Sequence, residues 1–187
     1  MKPLPPSFFA RSTVTVARDL LGKIIFIKGM AARIVETEAY TDDPASHAYT
    51  KTERSALMYD TYGHVYVYLI YGMYHCLNFT TEKNAPGAVL IRAVEPLEGI
   101  ARMKKNRKGN SDFQNFCSGP GKLCSALGIT RGNNGLQIGK EIDVLDDRFK
   151  VNTIASTSRI GIKVAQELQW RFFIKGNEYV SKVKFNK

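Results

Sequence analysis

The stretch Arg33-Ile-Val-Glu-Thr-Glu-Ala-Tyr40 decides the predicted fold of this 187-residue chain. Successive side chains of a β-strand point to opposite faces of its sheet. The pattern therefore predicts a strand on which Ile34, Glu36, Glu38 and Tyr40 share one face, with the two carboxylates about 7 Å apart. Two such acids repel each other, and they persist more readily when one is buried or something binds them. The alternative is a half-exposed strand with both acids in water.

A tyrosine-rich stretch follows, Val65-Tyr-Val-Tyr-Leu-Ile-Tyr-Gly-Met-Tyr-His-Cys-Leu-Asn78. Aromatic and β-branched residues favour strands, and Gly72 permits a tight turn, so this stretch predicts a β-hairpin. Tyr66 and Tyr68 share a strand face, and Tyr71 falls at the hairpin tip. An aromatic stripe usually packs in a core. A large ring at an exposed tip is instead suited to insertion into a DNA base stack.

The rest of the pattern predicts one mixed α+β domain over residues 1–187, built around a largely antiparallel sheet. Residues 41–55 and 109–116 are predicted loops. The predicted helices begin near Ser12, Pro96 and Ser118. The predicted strands cover residues 23–28, 33–40, 65–71, 75–81, 87–94, 142–145, 158–164, 170–174 and 179–183.

Composition narrows the class of protein. A hydrophobic share of 44% and a charged share of 24% are typical of globular domains. No apolar run has the length of a membrane span, and the start Met1-Lys-Pro-Leu-Pro-Pro6 lacks the apolar region of a signal peptide, so we expect a cytoplasmic protein. Three cysteines without a Cys-x-x-Cys motif predict reduced thiols rather than disulfides or a zinc site.

The net charge of +10 is unevenly distributed. Residues 1–100 are neutral overall, so residues 101–187 carry the whole excess. This asymmetry is compatible with an enzyme that binds a polyanion, and the alternative is charge that serves only solubility. Lys104 and Lys105 could bind phosphate or complement the dipole of their helix. Lys122 follows a helix start suited to anions.

Metal and nucleophilic catalysis are both disfavoured. Glu36, Glu38, His47 and His64 could ligate a metal, but their spacing matches no metal-binding pattern, so we predict no metal. The chain has no Gly-x-Ser-x-Gly motif. Cys76 lies on an apolar strand, which favours a core thiol over an activated nucleophile.

Carboxylate-driven hydrolysis fits the residues better. A carboxylate can take a proton from an attacking water and can stabilise positive charge on a sugar ring. Arg92, on a neighbouring predicted strand, could hold that carboxylate ionised. Alternatively Arg92 is a surface residue that pairs with Glu95.

Four motifs resemble those of the alkyladenine (3-methyladenine) DNA glycosylases: Arg33-Ile-Val-Glu-Thr-Glu-Ala-Tyr40, Tyr66-Val-Tyr-Leu-Ile-Tyr-Gly-Met-Tyr74, Leu90-Ile-Arg-Ala-Val-Glu-Pro-Leu-Glu-Gly99 and Cys117-Ser-Gly-Pro-Gly-Lys-Leu-Cys124. The similarity runs in order from about Phe8 to Val183. It implies a single mixed domain with a curved sheet, flanking helices and no helix-hairpin-helix motif. It also implies an enzyme that flips alkylated or deaminated purines out of double-stranded DNA and hydrolyses the N-glycosidic bond, without metal or cofactor.

The resemblance implies a role for each matching residue. Glu38 matches the general base, Arg92 the arginine that positions the water, and Glu36 a position without a catalytic role. Tyr71 matches the residue that fills the gap left in the duplex. The base pocket is implied at Tyr40, His47, Tyr68 and Asn78, the last of which excludes guanine through its 2-amino group. Candidates for contact with the DNA backbone are Lys122, Lys104, Lys105, Met73 and Tyr74.

Some segments depart from the family pattern. The connection from Tyr40 to His47 is shorter than in vertebrate members, and residues 109–116 and 128–141 do not match closely, so lesion preference is expected to differ. We expect a monomer. Two other readings remain open from the sequence: a non-catalytic nucleic-acid binder, which the charge asymmetry favours, and a hydrolase of small nucleosides.

Overall fold

The computed structural model describes residues 1–108 and 115–182. Its strands are β1 Lys2–Pro3, β2 Ile24–Ile27, β3 Met30–Tyr40, β4 Val65–Ile70, β5 Tyr74–Thr80, β6 Ala88–Glu98, β7 Asp143–Asp146, β8 Ile154–Thr157 and β9 Arg171–Ile174. Its helices are α1 Pro6–Phe9, α2 Thr13–Asp19, α3 Ala56–Asp60, α4 Ile100–Asn106 and α5 Pro120–Leu127, with 3₁₀ turns at His47–Tyr49 and Arg131–Asn133.

The strands form one curled antiparallel sheet in the order β1-β7-β2-β3-β6-β5-β4. Strand β3 is central because β6 pairs along one of its edges, while β2 and β9 pair with successive parts of the other. Helices α2 and α5 pack against the sheet and cover its main core. The predicted α+β class, with a curved and largely antiparallel sheet and flanking helices, is confirmed.

The central strand does not keep the simple alternation that the sequence predicts. Ile34 and Ala39 both belong to the main core although their separation is odd, and the pairing of β3 with β6 shifts register on both sides of Glu36. The irregularity skips Val35 in β3 and Arg92 in β6, and the faces of β3 are reversed beyond it. The prediction that Ile34 shares a face with the acids is therefore wrong. The half-exposed alternative is also wrong, because Glu36 and Glu38 are fully buried.

The predicted helix start at Pro96 is wrong. Strand β6 continues past it and pairs with β3 through Ala32 and Ala31. Proline is tolerated there because β5 pairs only with an earlier part of β6, which leaves one edge of the strand without a partner strand. Helix α4 begins later, after Gly99, whose φ of 73° suits glycine.

Two predicted strands near the C-terminus are also wrong. Residues 158–164 are irregular, because the strand lies earlier, at Ile154–Thr157. Residues 179–182 are irregular as well, and 183 lies outside the described residues. Most of the predicted loop at 109–116 also falls outside them. No helix in the two described ranges combines the length and hydropathy of a membrane span.

Candidate active site

Glu38 lies near the end of β3 with its carboxylate held from three directions. Oε1 accepts the backbone N–H of Ile160 at 2.7 Å. Oε2 accepts the hydroxyl of Tyr40 at 2.8 Å and Nη1 of Arg92 at 3.1 Å. A carboxylate offers about four acceptor positions, two on each oxygen. These contacts use both positions on Oε2 and leave one on Oε1.

Arg92 joins both acids of β3. Its Nη1 pairs with Glu38, and its Nε lies 3.4 Å from Oε1 of Glu36. Burial alone would lower the pKa of Arg92, but the two carboxylates outweigh burial and raise it. The alternative pairing with Glu95 is wrong, because Glu95 accepts a hydrogen bond from Asn177 instead. The arginine therefore stays charged beside Glu38.

Glu36 has a second cation of its own. Its Oε1 accepts Nε of Arg171 at 2.6 Å, and its Oε2 accepts the backbone N–H of Ser181 at 2.8 Å. Two carboxylates and two guanidinium groups thus share this buried region, which balances the charge. The contacts of Glu36 tie the C-terminal segment to β3, which is a structural function.

Three aromatic side chains, those of His47, Tyr66 and Tyr68, pack together near Glu38 and are called the aromatic wall below. The rings of His47 and Tyr68 meet edge to face with centroids 4.6 Å apart, and Nδ1 of His47 lies 3.0 Å from the hydroxyl of Tyr66. Burial, aided by the positive charge of Arg54, lowers the pKa of His47 to about 4. The imidazole is therefore neutral near pH 7.

A cavity of about 100 Å³ lies at this wall, lined by Tyr40, Ala45, His47, Met58, Tyr66, Tyr68 and Asn78. The amide nitrogen of Asn78 donates to the carbonyl oxygens of Tyr66 and Cys76, which fixes the side chain in place. Glu38 does not line the cavity. It is joined to the cavity lining through Tyr40, whose hydroxyl donates to Oε2 of Glu38. Burial, with the charge of Glu38, raises the pKa of Tyr40, so that hydroxyl keeps its proton.

Sequence reasoning missed Arg159 and Asp43. The guanidinium of Arg159 donates to both carboxylate oxygens of Asp43, at 2.6 and 2.9 Å, and to the carbonyl of Ala39. Its carbon lies 4.7 Å from the centroid of the Tyr40 ring. This buried pair fixes the ring of Tyr40 and the loop that leads to His47. The partners lie 116 residues apart in the chain, so no local motif signals their contact.

The hairpin tip is exposed. Tyr71 is 83% exposed, and Met73 and Tyr74 are also largely exposed. Tyr71 and Gly72 have φ angles of 52° and 69°, and the N–H of Met73 donates to the carbonyl of Ile70 at 3.2 Å. Positive φ at both central residues is typical of a type I′ turn. The turn therefore directs a bulky ring outward, about 10 Å along the strand from Tyr68.

The predicted backbone-contact residues lie on one side of this tip. Met73, Tyr74 and Lys122 line a groove of about 670 Å³ beside the start of α5, together with Arg107. Tyr74 packs closely on Gly121. The remaining two candidates, Lys104 and Lys105, are exposed on α4 and do not line the groove.

The three cysteines are free thiols, all buried. Burial raises the pKa of Cys117 to about 12, and it also raises the pKa of Cys76 and of Cys124. The thiols are thus protonated near pH 7, as expected of core residues. Within residues 1–108 and 115–182, no group of three or more potential ligands is placed to hold a metal ion.

Comparison with known proteins assigns the chain to the DNA glycosylases, which are hydrolases that act on DNA. Within that class the chain belongs to the Methylpurine-DNA glycosylase family, whose profile matches residues 7–178.

Three relatives carry the name "Putative 3-methyladenine DNA glycosylase". The protein from Clostridium novyi is 47% identical over 202 aligned residues, which cover 97% of this chain and all of the relative. The protein from Clostridium perfringens strain 13 is 48% identical over 94% of this chain and 97% of its own. The protein from Methanocella arvoryzae is 45% identical over 97% of both chains.

Proposed function

We propose that this protein is a monofunctional DNA-3-methyladenine glycosylase. It flips an alkylated or deaminated purine out of duplex DNA and hydrolyses the N-glycosidic bond with a water activated by Glu38, leaving an abasic site. The observation that carries the proposal is the carboxylate of Glu38, buried beside Arg92 with one acceptor position left on Oε1. We further propose that residues 1–187 form one glycosylase domain, which acts as a monomer.

The free position on Oε1 suits the attacking water. A water there lies beside the backbone of Ile160, while Arg92 and Tyr40 hold Oε2. The carboxylate takes a proton as the water attacks C1′ of the sugar, and its charge stabilises the oxocarbenium-like transition state. Arg92 donates to Oε2 of Glu38 and so holds the carboxylate that orients the water, which is the positioning role proposed for it.

The base is proposed to stack between Tyr40 on one side and the His47–Tyr68 wall on the other. Arg159 covers one face of the Tyr40 ring, which leaves the opposite face for the base. The cavity of about 100 Å³ is far below the roughly 300 Å³ at which typical ligand pockets begin. The cavity must therefore widen when a purine enters, and the widened site must bring C1′ of the sugar within reach of Glu38.

The chemistry of the pocket favours cationic lesions. Methylation at N3 or N7 makes a purine positively charged, so it leaves without a general acid. His47 is neutral at pH 7 because its pKa is lowered to about 4. It neither repels a cationic base nor serves as a general acid for neutral lesions. The fixed amide of Asn78 is proposed to exclude guanine through its 2-amino group.

The hairpin tip is proposed to act on the duplex. Tyr71 inserts into the base stack at the position that the flipped nucleotide vacates. Met73, Tyr74 and Lys122 contact the DNA beside it, along the groove at the start of α5. Lys104 and Lys105 are proposed to add longer-range attraction, since they are exposed but lie off that groove.

The test is release of free 3-methyladenine from alkylated duplex DNA, measured in single turnover. Glu38→Gln keeps the shape of the side chain and is expected to slow release by about 10²- to 10⁴-fold, the usual contribution of a general base. Glu98→Gln is the matched control, because Glu98 is exposed at the end of β6. Equal release by wild type and Glu38→Gln would refute the role of Glu38. Salt-dependent binding without release on any lesion would indicate a non-catalytic binder instead.

A further inference from the structure

A second cavity, of about 530 Å³, adjoins the base cavity. Tyr66 and Tyr68 line both cavities, so the two spaces lie against the same aromatic side chains. Arg54 and Arg131 line the second cavity as well. None of the roles proposed above uses this space or these two arginines.

Both arginines are exposed and lack a carboxylate partner. Neither forms an ion pair within residues 1–108 and 115–182, although Glu53 lines the same cavity. Burial raises the pKa of Tyr66, and the charges of Arg54 and Arg131 both oppose that rise. The two cations therefore act on the same phenol from two different elements of the fold.

Arg54 is held in position at its side chain, and Arg131 at its backbone. The guanidinium carbon of Arg54 lies 4.9 Å from the ring centroid of Tyr68, in a cation–π contact. Arg131 is the first residue of a 3₁₀ turn whose start is stabilised by a capping box between Thr130 and Asn133. The following residue, Asn134, accepts the backbone N–H of Val67 at 2.8 Å, which ties the turn to β4. Two guanidinium groups without an ion-pair partner in the described residues thus line one cavity beside the base site.

We propose that Arg54 and Arg131 bind one backbone phosphodiester of the damaged DNA strand, next to the nucleotide whose base occupies the base cavity. The inference rests on the proposed function. A flipped nucleotide remains joined to its own strand, so its flanking phosphates must lie at the mouth of the pocket. Guanidinium groups are the preferred side chains for phosphate because their donors match its oxygens. Such contacts fix the position of the strand and carry no sequence information.

The first experiment measures the salt dependence of binding to a lesion-containing duplex. Each phosphate contact contributes about 0.9 to the slope of log affinity against log salt concentration, or about a 3.5-fold change between 50 and 200 mM. The double variant Arg54→Gln/Arg131→Gln is expected to reduce the slope by about this amount, and each single variant by a part of it, because the other guanidinium still pairs with the phosphate. Arg148→Gln removes the same charge at an exposed position after β7, near the opposite edge of the sheet, and is expected to leave the slope unchanged.

The second experiment locates the phosphate. One neutral methylphosphonate linkage is placed in turn at each backbone position around the lesion. At one linkage only, Arg131→Gln is expected to cause no further loss of affinity for the duplex, because the phosphate charge that Arg131 binds has already been removed. Effects of equal size at every linkage, or an unaltered slope in both arginine variants, would overturn the proposal.

A titration with inorganic phosphate at constant ionic strength distinguishes a site for a DNA phosphodiester from a site for a free anion. If it binds with the same dependence on Arg131 while every methylphosphonate has no effect, the cavity is a free-anion site and the proposal falls. Base release on the same duplex is measured in parallel. Intact release with an unaltered slope overturns the phosphate assignment alone, whereas absent release in wild type overturns the proposed function.

Discussion

Replacing Asp43 with Asn removes the counter-ion of a buried arginine while keeping the shape of the side chain. The side chain of Arg159 is 0% exposed and that of Asp43 is 6% exposed, so water cannot take over the pairing. Removing one partner of a buried ion pair typically destabilises a protein by about 3 to 5 kcal/mol. For a domain of this size, about 2 to 4 °C per kcal/mol translates this into a melting temperature about 6 to 20 °C lower.

The matched control is the exposed pair of Arg11 and Asp19, whose side chains are 40% and 48% exposed. Solvent screens that pair, so Asp19→Asn is expected to change stability by at most about 1 kcal/mol. Both variants are compared by thermal and urea unfolding at pH 7. The double variant Asp43→Asn/Arg159→Met also removes the guanidinium that Asp43→Asn leaves buried without a counter-ion. It is expected to recover much of the lost stability.

Function provides a second readout of the same perturbation. Arg159 lies over the ring of Tyr40, and Asp43 lies in the loop that leads to His47. Asp43→Asn is therefore expected to weaken lesion binding even at temperatures at which the variant is folded. The reasoning would be refuted if Asp43→Asn melted within 1 °C of Asp19→Asn, or if the double variant were no more stable than Asp43→Asn alone.

Three further perturbations have distinct readouts. Tyr71→Ser removes the exposed ring and is expected to weaken binding to lesion duplex at least 10-fold, with the release rate of bound substrate changed much less; equal affinity would exclude the wedge role. His47→Asn tests pH dependence: the folded pKa of about 4 lies below the usual 6.5, so the contribution of His47 to stability is complete above pH 6.5 and is lost as pH falls toward 4. Urea unfolding from pH 7 to 4 should show a flatter decline in the variant, and an unchanged decline would contradict this. Gly87→Ala places a Cβ in steric clash with Oγ1 of Thr13 and is expected to cost about 1 to 3 kcal/mol by overpacking. Gly132→Ala, whose nearest contact is 3.4 Å, should be nearly neutral.

Local patterns in the sequence predicted the parts of the site that lie along single strands. The shared face of Glu36, Glu38 and Tyr40 followed from alternation, and the exposed ring of Tyr71 followed from a glycine beside it at a hairpin tip. Both agree with the structure. The position of Arg92 on a neighbouring predicted strand made it a candidate partner of the carboxylate, and the structure joins it to Glu38 in a buried ion pair.

Contacts between distant segments could not be predicted in the same way. Arg159 and the N–H of Ile160 reach the site from a segment predicted to be a strand, and nothing in their neighbourhood indicates a partner in β3 or the following loop. Pro96 illustrates a different failure. Proline is favoured at a helix start, but long-range pairing with β3 keeps it in an extended strand, so tertiary structure overrides local preference.

The irregular pairing near Glu36 has a consequence for how this protein can change during evolution. A one-residue deletion earlier in β3 would mainly disturb the apolar interface with β2. Between Ile34 and Glu38, the same deletion would shift Glu38 by one residue along β6 and so break its pairing with Arg92. Insertions and deletions should therefore be absent from this short span in functional homologues, whereas the connection from Thr41 to Ser46 can vary in length.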